Sequence, residues 1–300
     1  MTTLVETVRA EELPESPPVS AGRRILRRFW SNRVAVGALA FLVLLLVVAI
    51  FAPLIAPHDP NAQNLAQRLK ASVGVLGTDD YGRDQLSRLI YGARVSLIAV
   101  LVAVGVAAGI GVPLGLLAGY KARWLDATFS RLSDALMSVP ALIFALTVIA
   151  VLGPGLVNAM VAVGIVTMPR FFRVARAAAR DVSQETYIEA SRMVGCGTTR
   201  LLWRHLLPNV LSPLVVQISV TAGAAVAAEA SLSFLGLGVK APTASWGSML
   251  TTAQTNIYTS PYLVYPPGIM IALTVLAFTL VGDGLRQAIG TRGVQGAEGV

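Results

Sequence analysis

Uncharged runs long enough to cross a membrane dominate this chain, and short basic stretches separate them. Val34–Pro57 and Val95–Tyr120 both exceed the ~20 apolar residues that a transmembrane helix needs. Ala135–Pro169 carries no charge and is too long for a single span. The break Leu152-Gly153-Pro154-Gly155 predicts a third span ending at Leu152 and a fourth starting at Leu156. The fourth offers only about 21 Å of helix before Arg170 at ~1.5 Å per residue, so Phe171, Phe172 and the snorkelling stems of Arg170 and Arg173 are expected to extend it. A fifth span covers Ser212–Leu237 and a sixth Tyr265–Val281. The pattern predicts an all-α, polytopic membrane protein of about six transmembrane helices.

The segments between the spans differ in character. His58–Ala93 reads as a soluble loop in which Leu86, Leu89, Ile90 and Ala93 recur at helical spacing, an amphipathic segment expected to lie at the membrane interface and to be able to serve as a docking surface. Within the second span, Gly111, Gly115 and Gly119 repeat every four residues and leave one helix face bare, which favours close approach of another backbone. The longest polar interruption, Asp181–Pro208, reads as a helix, a turn and a second helix. Asp181 or Ser183 is expected to cap the first helix, Gly195 with Gly197 to end it, Thr198 or Thr199 to recap the chain, and Pro208 to stop the second helix near Asn209.

Composition agrees with a membrane protein: hydrophobic residues make up 55% and charged residues 13%, with a mean hydropathy of +0.68. The net charge of +8 is explained by topology. With six spans and the N-terminus inside, only six of the 24 lysines and arginines, Arg68, Lys70, Arg83, Arg88, Arg94 and Lys240, fall in outer segments. Asp59, Asp79, Asp80 and Asp84 nearly balance the first outer loop. Both termini and the 181–208 hairpin are therefore expected to be cytoplasmic. The expected organisation is a disordered cytoplasmic tail over 1–22, an N-terminal segment with the first span and external loop over 23–94, a core of five spans over 95–290 containing the hairpin 181–208, and a cytoplasmic tail over 291–300.

Several chemistries drop out. Cys196 is the only cysteine, and with His58 and His205 it makes a poor metal set. No G-x-x-x-x-G-K-[ST] loop occurs, so ATP hydrolysis must come from elsewhere. A DNA-binding helix-turn-helix fits the hairpin locally, but spans flank it tightly on both sides. A membrane enzyme needs clustered catalytic groups, whereas the two histidines fall on opposite sides of the membrane.

Glu189-Ala190-Ser191, three residues, Gly195, nine residues, then His205-Leu206-Leu207-Pro208 resembles the EAA loop of ABC-importer permeases. Ser191 stands where that pattern has a second Ala, and His205 where it usually has Ile. Residues 76–97, 229–250 and 265–286 resemble the C-type permease subunit of the dipeptide/oligopeptide/nickel importers. The resemblance covers nearly all of the chain after residue 25.

It implies a type I ABC importer permease fold with a cytoplasmic EAA coupling loop, located in the bacterial inner membrane. It also implies half of a translocation pore for di- or oligopeptides, working by alternating access and performing no bond chemistry. The implied partners are a second homologous permease, two ATPase subunits or one fused ATPase, an external peptide-binding protein and the lipid bilayer. ATP and magnesium belong to the ATPases, and this chain is expected to bind no cofactor, no metal and no nucleic acid. The coupling positions carried over are Glu189, Ala190, Ser191, Gly195, Leu207 and Pro208; helical geometry adds Tyr187, Arg192 and Met193 beside them. Import of nickel or another small solute is the alternative within the family, and a stand-alone secondary carrier is the alternative outside it. Glu229, a carboxylate deep in the fifth span, is a candidate pore or gate residue. It either meets a peptide amino terminus or is satisfied by Ser231, Ser233 or a neighbouring helix.

Overall fold

A computed structural model describes residues 21–121 and 124–290. The expected tails up to residue 20 and over 291–300, with Arg9 and Arg292, lie outside the described residues, as does Arg123. Helix α1 (Ala21–Ser31) leads into α2 (Arg33–Ile50), whose first turn is capped by Asn32 accepting from the Ala35 amide at 3.1 Å. A short α3 (Ala52–Ile55) follows, then a loop over 56–84, then α4 (Gln85–Lys121). The chain continues through α5 (Trp124–Ser138), α6 (Ala141–Leu152), α7 (Leu156–Ser183), α8 (Thr186–Met193) and α9 (Thr198–Arg200). It closes with α10 (Leu207–Phe234), α11 (Trp246–Thr255) and α12 (Tyr265–Gly290). Among the described residues, five helical stretches are long and apolar enough to cross a membrane, and α5 with α6 makes a sixth if the pair is one span.

That pair differs from the straight third span expected. Its two helices are bent by 95°. Pro140 disfavours helical backbone at Val139 and itself sits extended at ψ 127°, so the apolar run folds over on itself.

The second span also starts earlier than expected. Residues 85–94, expected as a segment apart from the second span, form the first turns of α4, which runs unbroken through the 94/95 boundary. Asp84 caps it, accepting from the Ser87 amide at 2.9 Å and the Ser87 hydroxyl at 2.6 Å. The charges that make this stretch look soluble are neutralised around the start of α4. Asp79 Oδ2 takes Arg83 Nε at 2.7 Å and lies 3.5 Å from Arg88 Nε, and Arg88 Nη1 donates to the Pro60 carbonyl at 3.1 Å. Asp79, Arg83 and Arg88 are all buried.

The core is built on α4 against α7, and the glycine stripe explains why. A Cβ at Gly111, Gly115 or Gly119 would lie 2.7, 2.5 and 2.5 Å from the carbonyl oxygens of Met168, Phe172 and Arg176 respectively. Backbone meets backbone along three successive turns, so the stripe serves helix packing. Phe171 and Phe172 are buried in this contact and fill the α4–α7 seam. Helix α7 continues past Pro169 to Ser183 without interruption. Helix α12 lies against α10 through Gly223 and Gly282, while α2 packs on it with Ala35 against Gly284.

Candidate functional site

The hairpin following α7 is where the expected coupling residues meet. Helix α7 runs through Asp181 and Ser183, so neither caps the next helix; the Ser183 hydroxyl instead donates back to the Arg180 carbonyl at 2.8 Å. Helix α8 begins after Glu185, with no side-chain cap. It ends in a Schellman turn: the Cys196 amide donates to the Ser191 carbonyl at 3.0 Å and the Gly195 amide to the Arg192 carbonyl at 2.9 Å, with Gly195 at φ +83°. Gly195 therefore stands where a left-handed residue is required, as its position in the sequence predicts.

The chain re-enters helix at Gly197, which supplies no side-chain cap, so Thr198 and Thr199 lie inside the first turn. Pro208 does not stop this helix. The backbone widens into a π-helical turn over Leu201–Leu206, where the Leu207 amide reaches back to the Leu202 carbonyl, and Pro208 falls in the first turn of α10. Proline has no amide proton for the Arg204 carbonyl and its ring crowds the preceding turn; the wider turn accommodates both.

Burial divides the hairpin into a foot and a face. Ile188, Leu201 and Leu206 are fully buried, joining Leu116, Phe171, Ala175 and Ala179 from the α4–α7 seam in one apolar cluster, with Leu207 packed at its edge. Arg192 lies over the Tyr120 ring at the end of α4, its guanidinium carbon 4.5 Å from the ring centroid. Asn209 donates to the Tyr187 hydroxyl at 3.1 Å and to the His205 carbonyl at 2.8 Å, tying α8 to the start of α10. The outward face presents Tyr187, Glu189, Ala190, Met193 and Val194, the last two 87% and 89% exposed. Both apolar side chains at the tip are exposed, and the Glu189 carboxylate has no partner among the described residues. Partial burial, with Glu185 nearby, raises the Tyr187 phenol above its ordinary value, so it stays neutral at physiological pH.

Beside α8 opens a cleft of about 590 Å³ lined by Ala190, Ser191, Gly195, Arg200, Arg204 and His205 among others. Glu189, Leu207 and Pro208 do not line it. In the sequence Arg200 and Arg204 read as topology charge, and neither Ile188 nor Tyr120 stands out as part of the site. Ile188 is the single buried side chain of α8, and an isolated isoleucine in a polar stretch signals this only weakly.

Glu229 lies elsewhere, at the far end of α10. It is fully buried, accepting from Ser233 at 2.7 Å and from Ser96 of α4 at 3.4 Å, while Ser231 turns away and donates to the Ala227 carbonyl. Above it, α11 is clamped on by Trp246, whose indole donates to the Leu89 carbonyl at 3.0 Å.

A bundle of long apolar helices with an apolar-footed hairpin at one end has the form of a multi-span membrane permease subunit. The comparisons agree. The family model for the binding-protein-dependent transport system inner membrane component matches residues 111–293, and that for the N-terminal TM domain of oligopeptide transport permease C matches residues 20–71. The chain belongs to the binding-protein-dependent transport system inner membrane components; it is a multi-span permease subunit, not an enzyme.

It is 41% identical over 288 residues to the di/tripeptide transport system permease protein DppC of Pseudomonas aeruginosa, covering 92% of this chain and 95% of that one. It is 38% identical over 289 residues to the dipeptide transport system permease protein DppC of Haemophilus influenzae, covering 92% and 98%. It is 41% identical over 270 residues to the glutathione transport system permease protein GsiD of Pectobacterium atrosepticum, covering 89% and 90%. The inward-facing MetNI methionine ABC transporter shares the fold, with a TM-score of 0.54 at 20% identity over 68% of this chain and 97% of that chain. The type I permease fold expected from the sequence is therefore present, and family members of this kind act with ATPase and substrate-binding partners.

Proposed function

We propose that this chain forms half of the translocation pore of an ATP-driven importer of di- and oligopeptides, with the α8 hairpin as its coupling element. The observation that carries the reading is the division of that hairpin into a buried foot seated on the α4–α7 seam and an exposed face bearing Glu189, Ala190 and Met193. Such a lever passes a push on its face to two spans at once, because backbone contact along the glycine stripe leaves no slack between them. Glu189, Ala190, Ser191 and Gly195 enter the ATPase groove, flanked by Tyr187, Arg192 and Met193, while Leu207 and Pro208 fix the return into the membrane.

In this reading the hairpin and both termini are cytoplasmic, and a second homologous permease completes the pore. Two ATP-binding subunits, or one fused ATPase, bind ATP and magnesium, and an external binding protein delivers the peptide. Closure of the ATPases brings paired hairpins together and opens the pore outward; hydrolysis returns it inward. Glu229 acts as a gate or structural carboxylate, joining α10 to α4 beneath α11. The peptide cargo is supported by the di/tripeptide, dipeptide and glutathione systems among the relatives.

Uptake into vesicles containing the complete transporter, with and without internal ATP, tests the proposal. ATP-dependent accumulation of di- and tripeptides is expected. Accumulation of Ni²⁺ with no peptide uptake would move the chain to the small-solute branch, and uptake independent of ATP would make it a secondary carrier.

A further inference from the structure

Three arginines, Arg170, Arg173 and Arg176, lie along successive turns of α7, and two are paired. Arg173 Nη2 meets Asp134 Oδ1 at 2.6 Å, and Arg176 pairs with Asp126 through both its Nε and Nη2. Arg170, the deepest of the three, has no partner among the described residues. It lies about 21 Å along α7 from Leu156, within the ~30 Å apolar thickness of a bilayer. An unpaired cation at that depth is costly unless it faces a water-filled cavity, and such residues mark transport routes.

Arg170 does face a cavity. It borders a groove of about 300 Å³ between α6, α7 and α10, walled by small and larger aliphatic side chains such as Ala224, Ala227, Leu142 and Val166, and bordered by Thr167 and Ser231. That volume is at the small end of the range for small-molecule sites. Both hydroxyls spend their protons on their own helices, Ser231 on the Ala227 carbonyl at 2.8 Å and Thr167 on the Val163 carbonyl at 2.9 Å, and so present acceptor lone pairs to the groove. No carboxylate lines the groove. It offers one cation, two acceptors and aliphatic walls.

We infer that this groove is a peptide-contact site of the pore half, in which Arg170 takes the C-terminal carboxylate of the passing peptide. The inference rests on the peptide reading above. A planar guanidinium matches a carboxylate bidentately, and Ser231 accepts from a peptide N–H alongside it. Aliphatic walls set no polar group against the peptide's side chains, so the groove reads the carboxylate common to all peptides and leaves polar selection among them to other parts of the transporter.

The test uses the complete transporter in vesicles with internal ATP, comparing uptake of one dipeptide and its C-terminal amide, each at concentrations saturating the binding protein. Arg170→Gln is expected to lower uptake of the free acid about tenfold or more, the size of a lost charge-assisted hydrogen bond, and to leave amide uptake nearly unchanged. Arg170→Lys is expected to restore part of the loss. Because the binding protein is the same throughout, its own preference cancels when the acid-to-amide ratio is compared between variants. An equal fall for both peptides, or loss of the second permease on co-purification, would assign Arg170 to a subunit contact and overturn the inference. Unchanged uptake of both would overturn it too. Absence of any peptide uptake by the wild-type transporter would instead refute the cargo reading, and the groove assignment with it.

Discussion

Placing a methyl group in the α4–α7 seam should separate the two helices that carry the hairpin. In Gly115→Ala the new Cβ lies 2.5 Å from the Phe172 carbonyl oxygen, 2.7 Å from the Ala175 Cβ and 3.0 Å from the Arg176 amide nitrogen. Ordinary contact begins near 3.4 Å, so the backbones must part by about 1 Å, and no flexible side-chain end is available to absorb the movement. Overpacking of this kind costs about 1–3 kcal/mol, while Ala for Gly inside a helix returns roughly 1 kcal/mol, leaving a net destabilisation of up to about 2 kcal/mol. Gly109→Ala is the matched control, since nothing lies within 4 Å of its Cβ, and it should be neutral or stabilising by up to ~1 kcal/mol. Reversible unfolding in mixed detergent micelles measures both. If Gly115→Ala proved as stable as Gly109→Ala, the seam would not be held by backbone contact, and the lever argument would lose its rigid base.

Asp79→Asn should loosen the loop over 56–84, because Arg83 and Arg88 stay buried without their shared counter-charge; breaking such a pair costs about 3–5 kcal/mol. Limited proteolysis of the intact transporter reads this directly, and wild-type resistance would count against the cluster as the loop's anchor. The neighbouring Asp80 should make the loop pH-sensitive in a definite direction. Burial, and then the Asp79 charge, raise its carboxyl above the ordinary range, with Arg83 and Arg68 opposing. Its protonated form is favoured in the fold, so its contribution is complete below the ordinary carboxylate range and declines as pH rises through the raised value. Asp80→Asn should remove that slope from the proteolysis rate, and an unchanged slope would assign it to another group.

The number and approximate position of the spans were readable because uncharged length is a property of the chain alone. The same is true of the glycine stripe, whose four-residue repeat announces close packing, and of Gly195, where a left-handed turn residue sits between two helical stretches. What escaped the sequence depended on pairing across distance. Arg88 reads as a polar loop residue until Asp79 and the Pro60 carbonyl are folded around it, and only then can α4 begin at Gln85. The Val139–Pro140 bend lies inside a run whose hydropathy never changes. Pro208 signals an ending, yet a π-helical turn carries the chain past it. At the hairpin, the EAA spacing marks the face that points outward. The foot of Ile188, and the stacking of Arg192 on Tyr120 across 72 residues of sequence, follow only from the packed structure.

The central claim is that the α8 hairpin transmits force from ATPase to membrane helices, and Glu189→Trp tests it most directly. Glu189 is exposed and unpaired within the described residues, so a bulky residue there should leave the fold and membrane insertion intact. The account predicts a normal amount of permease in the membrane, weakened co-purification of the ATPase subunits and loss of ATP-driven peptide uptake. Uptake and ATPase association at wild-type levels in that variant would contradict it.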